Sequence, residues 1–163
     1  VAEGKQGAGP DVAGLSGRLV HLKGSLVYRD GETMIEVVPG SVVAEEPGAA
    51  PESTVGPVDL GAVTLTGEIV DSKCYLGVMN PGSAKVHRAC AARCIEGGVP
   101  PLFVVDDYQG APAQMLLVSA EGTPVNEAVL DLVAEPVEIT GRLVREGDTL
   151  VLRADPATYR RAG

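Results

Sequence analysis

The sequence predicts a mainly β protein, a small OB-like β-barrel with one inserted helix, preceded by an N-terminal β-hairpin. Three observations carry that reading. Short runs rich in Val, Leu, Ile and Thr recur along the chain, each bounded by Gly, Pro or Asp, which is how strands separated by turns are written. "TGEIV" (66–70) and "TGRLV" (140–144) each carry a glycine at what reads as the start of the first and last barrel strands. Glycine inside a strand marks a bulge or a barrel corner, and Gly67 and Gly141 fill that role. Midway between these strands lies the Ala-rich "SAKVHRACAARCIEGG" (83–98), a helix pattern stopped by Gly97-Gly98. An immunoglobulin-like sandwich is the competing all-β architecture. It lacks support, because the chain has no Trp and its cysteines stand too close together.

The elements follow in order. "LSGRLVHLKGSLVYRDGETMIEVVPG" (15–40) reads as two strands in a hairpin, with Asp30-Gly31 supplying a tight turn that needs positive φ. Residues 39–61 are rich in Pro, Gly, Ala and Glu, as a linker or long surface loop is. The chain thus divides into a hairpin region at 1–38 (a candidate remnant of a larger domain), the linker, and a barrel at 62–163. "GAVTLTGEIVDSKC" (61–74), "PPLFVVDD" (100–107) and "APAQMLLVSA" (111–120) are the next strands, and "EPVEITGRLVREGDTLVLRAD" (135–155) closes with a second hairpin. "VNEAVLDLVAE" (125–135) reads as a second, short helix. Segments 24–37 and 141–154 share one pattern of Gly, apolar strand, acidic-Gly turn, Thr and apolar strand. Either two hairpins happen to look alike or half a barrel has been duplicated.

Composition narrows function. Hydrophobic residues are 45% of the chain but aromatics only 3%, so the core must be aliphatic and an aromatic platform for single-stranded nucleic acid is disfavoured. The formal net charge of −9 repels phosphate backbones, so nucleic acid is not an expected partner. No apolar run reaches the length of a transmembrane segment. The opening "VAEGKQGAGP", without Met, reads as a processed or trimmed start, which leaves room for a signal or anchor upstream. No phosphate loop, dinucleotide fingerprint or paired-carboxylate motif is present, and neither histidine accompanies a nucleophile elbow.

The chemistry gathers in "GEIVDSKCYLGVMNPGSAKVHRACAARCIEGGVPP" (67–101), which holds all three cysteines and one of the two histidines. Cys74 ends a strand; His87, Cys90 and Cys94 follow on the helix pattern. A Cys3His set suits zinc, cuprous copper or an iron–sulfur cluster. The same residues could staple Cys74 to Cys90 or Cys94 by a disulfide, leaving one cysteine as a small apolar residue. A reactive thiol is the third reading, activated by the nearby Lys73, Lys85, Arg88 and Arg93, although CxxxC is a poor match for the CxxC of thiol redox chemistry. Helix geometry limits the first reading. Positions i and i+7 lie about 10.5 Å apart along a helix axis, too far for one ion whose ligands stand about 2.0–2.3 Å away. So either the helix begins after His87, or the ion takes the subset Cys74, Cys90 and Cys94. Asp71 and Met79 are accessory ligand candidates, Asp71 serving equally as a turn cap. His21 reads as a surface or satisfied core residue, and Met34 and Met115 as core.

Residues 64–154, and above all the Gly-x-x-x-Asp-Ser-x-Cys strand end, the His-x-x-Cys-x-x-x-Cys helix and the Gly-Gly-x-Pro segment, resemble a group of small bacterial exported or membrane-tethered OB-like proteins. Most of that group is uncharacterised. The resemblance implies a periplasmic or otherwise extracytoplasmic location and makes Cys74, His87, Cys90 and Cys94 the positions to watch. With it, the expected role is a metal- or iron–sulfur-binding accessory domain, structural or electron-transferring, partnered by protein in a membrane-associated redox assembly. A disulfide-stabilised interaction subunit without metal is the rival.

Overall fold

The computed structural model describes residues 1–15, 17–29, 31–46 and 56–163. A single turn α1 (Gly9–Val12) precedes β1 (Val20–His21), β2 (Gly24–Arg29), β3 (Glu32–Val37) and β4 (Val43–Ala44). The long β5 (Val58–Asp71) follows, then a helical turn Cys74–Val78, a 3-10 turn Lys85–His87 and α2 (Arg88–Glu96). β6 (Pro101–Tyr108), β7 (Ala111–Val118), a 3-10 segment Glu127–Leu132, β8 (Pro136–Glu146), β9 (Thr149–Arg153) and β10 (Arg160–Arg161) complete the chain. No helix among the described residues is long and apolar enough to cross a membrane.

Five strands close on themselves. β5 pairs with both β6 and β8, β6 with β7, β7 in parallel with β9, and β9 back to β8. That circuit, with one parallel pair among antiparallel ones, is an OB-like Greek-key barrel, and closure removes the sheet edges. Its interior is aliphatic as expected, with Ile69, Met115, Leu117, Ile139, Leu143 and Leu152 around the lone Phe103, all buried.

Closure depends on β5 serving two neighbours. Residues 58–68 pair with β8 and residues 68–71 with β6. Where it changes partner, Gly67 passes the Val104 carbonyl so closely that a Cβ would lie 2.2 Å from its oxygen. Gly141 on β8 is pressed likewise, 2.6 Å from the Arg153 carbonyl oxygen. Both glycines mark close backbone approaches, and they sit within β5 and β8 rather than at strand starts; these strands pair with each other.

The last residues of β5 are buried on two sides. Ile69 faces the barrel core, and Val70 joins Leu76 and Leu102 beneath Val27 and Met34 of the N-terminal hairpin. The β2–β3 hairpin therefore covers the barrel's outer face at this point, with the Arg29 guanidinium 5.1 Å from the Tyr75 ring centroid.

Several expectations need correction. The barrel begins at Val58, inside the 39–61 linker, because Gly61 adopts φ +96° as a bulge within the ladder instead of ending it. Within the same stretch β4 pairs back on β1, while residues 47–55 lie outside the description. The 125–135 helix is only the 3-10 segment Glu127–Leu132: Val133 is extended, Ala134 adopts φ +59°, and both serve the barrel core. The two similar segments are both hairpins, yet only 141–154 is part of the barrel. Each opens on a glycine facing the carbonyl twelve residues on, Gly24 against Glu36 and Gly141 against Arg153. Asp30 of the first turn lies outside the described residues, and Gly31 has the positive φ such a turn requires.

Gly67→Ala is expected to destabilise the protein by about 2 kcal/mol or more, because backbone rather than a flexible side chain must yield. Gly147→Ala has open space and only its φ of +62° to violate, so urea denaturation should show a loss nearer 1 kcal/mol.

Candidate metal centre

The site is built from Asp71 outward. Its carboxylate closes β5 fully buried, with Oδ1 accepting the Cys74 N–H at 2.8 Å and Oδ2 lying 3.2 Å from His87 Nε2. Within "DSKC" the aspartate oxygen satisfies the amide three residues on and sets the direction in which Cys74 leaves the strand. The chain then doubles back over Cys74. At Gly82 a Cβ would stand 2.7 Å from the Cys74 carbonyl oxygen, so only glycine lets the two segments touch. Glu68 Oε1 accepts the Ala84 N–H at 2.6 Å, and the 3-10 turn that follows delivers His87, buried, to Asp71.

α2 starts at Arg88, after His87, and carries Cys90 and Cys94 one turn apart on one face. Its C-terminus is a Schellman motif: Gly98 N–H donates to the Ile95 carbonyl, Val99 N–H to the Cys94 carbonyl, and Gly98 takes φ +91°. The motif's apolar contact is Val99 packed with Cys94 and Cys74. The Asn126 amide donates to the Ile95 and Val99 carbonyls at 2.8 and 2.9 Å and secures the helix end.

The outcome is a convergence of three thiols. Cys74, Cys90 and Cys94 present sulfurs that all lie within 4.8 Å of one another, with Cys74 and Cys94 at 4.0 Å, and they could hold a metal ion. Sulfurs about 2.3 Å from a tetrahedral ion stand roughly 3.8 Å apart, so little movement is needed. Both ways around the helix constraint are realised, since α2 begins after His87 and the thiol subset is complete without it. His87 stands beside the trio in a second group, Asp71, Cys74 and His87, whose ligand atoms also lie within 4.8 Å and which shares Cys74.

Burial governs the thiols of Cys74 and Cys94. It pushes the Cys74 thiol strongly up, with the Asp71 carboxylate adding to the effect. It also pushes Cys94 up to about 11, again with Asp71 adding, and the Lys5 charge opposing. Activation of these two thiols by neighbouring basic residues is therefore not what the fold provides. The Lys73 ammonium bonds the Ala2 and Gly4 carbonyls at 2.9 and 2.8 Å and pairs with Glu36 at 3.1 Å. Arg88 and Lys85 are drawn to Glu135, and Arg93 is exposed. The cation that does reach the cysteines is Lys5, whose Nζ lies 2.6 Å from Cys90 Sγ and 3.8 Å from Cys94 Sγ. Nothing in the sequence marks it, because it precedes Cys90 by 85 residues in a Gly-rich stretch. Asp71, Cys74 and His87 have the residue types of thiol catalysis, but a raised thiol at 4% exposure is neither a ready nucleophile nor open to a substrate.

The remaining candidates fall away from the centre. Met79 is exposed, His21 pairs with Glu45 on the surface at 2.6 Å, Met115 is core, and Met34 of the hairpin packs against the Val70, Leu76 and Leu102 cluster.

No protein-family model matches the chain, and no curated protein matches it significantly. Among solved structures it is similar to a deletion mutant of the single-stranded DNA binding protein from Thermus aquaticus, at 15% identity and a TM-score of 0.34. The match covers 90% of this chain and 61% of that one, and so remote a likeness carries no argument about what this chain binds.

Asp71→Ala would orphan two buried donors, each costing about 1–3 kcal/mol, so thermal or urea unfolding should show a loss of about 3 kcal/mol. Metal-free protein should also lose stability in alkali. The Cys94 thiol is raised from 9.0 to about 11 on folding, so its contribution is complete below about pH 9 and disappears between about pH 9 and 11 as the unfolded chain ionises first. Cys94→Ala should flatten that decline in urea midpoints measured against pH.

Proposed function

We propose that this domain holds a single metal ion on the thiolates of Cys74, Cys90 and Cys94. The observation that carries the reading is the convergence of three sulfurs from a strand end and one helix face. Such close spacing supports one ion over an iron–sulfur cluster, which spreads its cysteines over several iron atoms. An all-sulfur set favours soft or borderline ions, zinc or cuprous copper. Zinc would tie β5 to α2 as a structural clamp, whereas copper would add one-electron chemistry. His87 is the nearest nitrogen donor, and its bond to Asp71 is the carboxylate–histidine arrangement that orients metal-bound or metal-adjacent imidazoles. High thiol pKa values fit a site whose protons leave only when a metal replaces them.

In cellular terms we read the chain as an extracytoplasmic accessory domain, structural or electron-transferring, docked on protein in a membrane-associated redox assembly. The motif resemblance across residues 64–154 supports this location and partnership. One observation favours a second reading: Cys74 and Cys94 sulfurs 4.0 Å apart are about twice a disulfide bond length, and rotation of the side chains would bring them together in an oxidising compartment. The protein would then be a stapled interaction subunit without metal.

The test is elemental analysis and absorption spectroscopy of protein purified without added metal or reductant. One equivalent of metal is expected, lost in each of Cys74→Ser, Cys90→Ser and Cys94→Ser. Metal-free protein lighter by the two hydrogens of one disulfide would overturn the metal reading in favour of the staple.

A further inference from the structure

The first seven residues cross the protein to reach the cysteines. Ala2 forms a parallel bridge with Val37 of β3, and Lys73 clamps the segment through the Ala2 and Gly4 carbonyls. Val1 packs on the cluster of Cys74, Cys94 and Val99. Farther along, the segment lies backbone to backbone on the glycine pair that ends α2. Gly7 N–H donates to the Gly97 carbonyl at 2.9 Å; a Cβ at Gly7 would be 2.1 Å from the Gly98 oxygen, and one at Gly97 would be 1.9 Å from the Lys5 oxygen. Lys5 is fixed between these anchors with its ammonium on Cys90 and near Cys94. Gly97-Gly98 thus does more than stop a helix: it is the seat of this segment.

Charge gives the arrangement a purpose. Three thiolates around a divalent ion carry one net negative charge, and the Lys5 ammonium supplies one positive charge against it. The Lys5–Cys90 contact lies at the exposed rim of the centre, and the same ammonium approaches the buried Cys94 sulfur, where less water intervenes and the charge counts for more. We propose that residues 1–7 form a closing strap for the metal centre, in which Lys5 is the positioning residue that balances a divalent ion's thiolate set. Ion binding and strap seating are then linked, each strengthening the other by the same factor. The proposal rests on the metal reading above.

The test uses zinc on the full chain, with affinity measured by chelator competition and strap seating by hydrogen exchange at Gly7. For the unaltered protein, zinc should slow exchange at the Gly7 amide. Lys5→Met should weaken zinc binding by about threefold to fivefold, the scale of a largely exposed charge pair, whereas Lys5→Arg, which keeps the charge, should retain most of the affinity. Gly7→Ala leaves Lys5 untouched but collides with Gly98, and should lose affinity as Lys5→Met does while circular dichroism shows the barrel intact. Zinc binding by the unaltered protein with Lys5→Met unimpaired, or with Gly7 exchange unchanged by zinc, would overturn the strap alone. A loss in Lys5→Arg as deep as in Lys5→Met would overturn the charge-balancing role. Failure of the unaltered protein to bind zinc at all would overturn the metal site and the strap together.

Discussion

A carboxylate removed from water must find partners, and Asp71 finds them in a way that organises everything around it. The β5–β6 ladder ends at the Asp71–Pro101 pair, where the chain has to leave the sheet. Asp71 meets that demand by capping the Cys74 amide with one oxygen and holding the His87 ring with the other. Desolvation of the carboxylate is tolerable only while both contacts persist. The direction of Cys74, the position of the 3-10 turn and the start of α2 all follow from the same buried group.

That burial also determines what the sulfurs can do. Low-dielectric surroundings and a neighbouring carboxylate favour the neutral thiol at Cys74 and Cys94, the reverse of the activation that a redox or nucleophilic cysteine needs. A cation of higher charge held at bonding distance by several sulfurs is what offsets such a penalty, and the three thiols are placed for it. The acidic chain has its basic residues near the motif largely committed elsewhere, Lys73 to the strap carbonyls and Glu36, Arg88 to Glu135. Lys5, brought from the far end of the sequence, is the cation left facing sulfur.

The barrel contributes rigidity rather than chemistry. Two backbone approaches in the barrel admit no Cβ, Gly67 of β5 against β6 and Gly141 of β8 against the end of β9, and the first of them lies on the strand whose end bears the site. The β2–β3 hairpin seals the outer side of that strand end through Val27 and Met34, so that Val70 and Leu76 are buried. A β-hairpin alone is marginal in water; here it is stabilised by the barrel it covers, and β3 in turn anchors Ala2 of the strap.

Short Val, Leu, Ile and Thr runs bounded by Gly, Pro or Asp, the glycines of the two Thr-Gly strands and the scarcity of aromatics were enough to predict an aliphatic OB-like barrel, because strand propensity and turn chemistry are local properties of the chain. Cys74, His87, Cys90 and Cys94 were legible as candidates from their spacing, but helix geometry left open whether His87 shares an ion with the three cysteines. The extent of β5 was not, since a bulge at Gly61 looks like a turn until β8 supplies the ladder. Nor was the fate of 125–135, where core packing at Val133 and Ala134 outweighs helix propensity. The capping role of Asp71 could be proposed from "DSKC", but its bond to His87 depends on how the intervening turn folds back. Lys5 lay wholly beyond the sequence. Its meeting with Cys90 spans 85 positions and depends on two backbones touching at Gly7 and Gly97, a steric fit that only the folded chain creates.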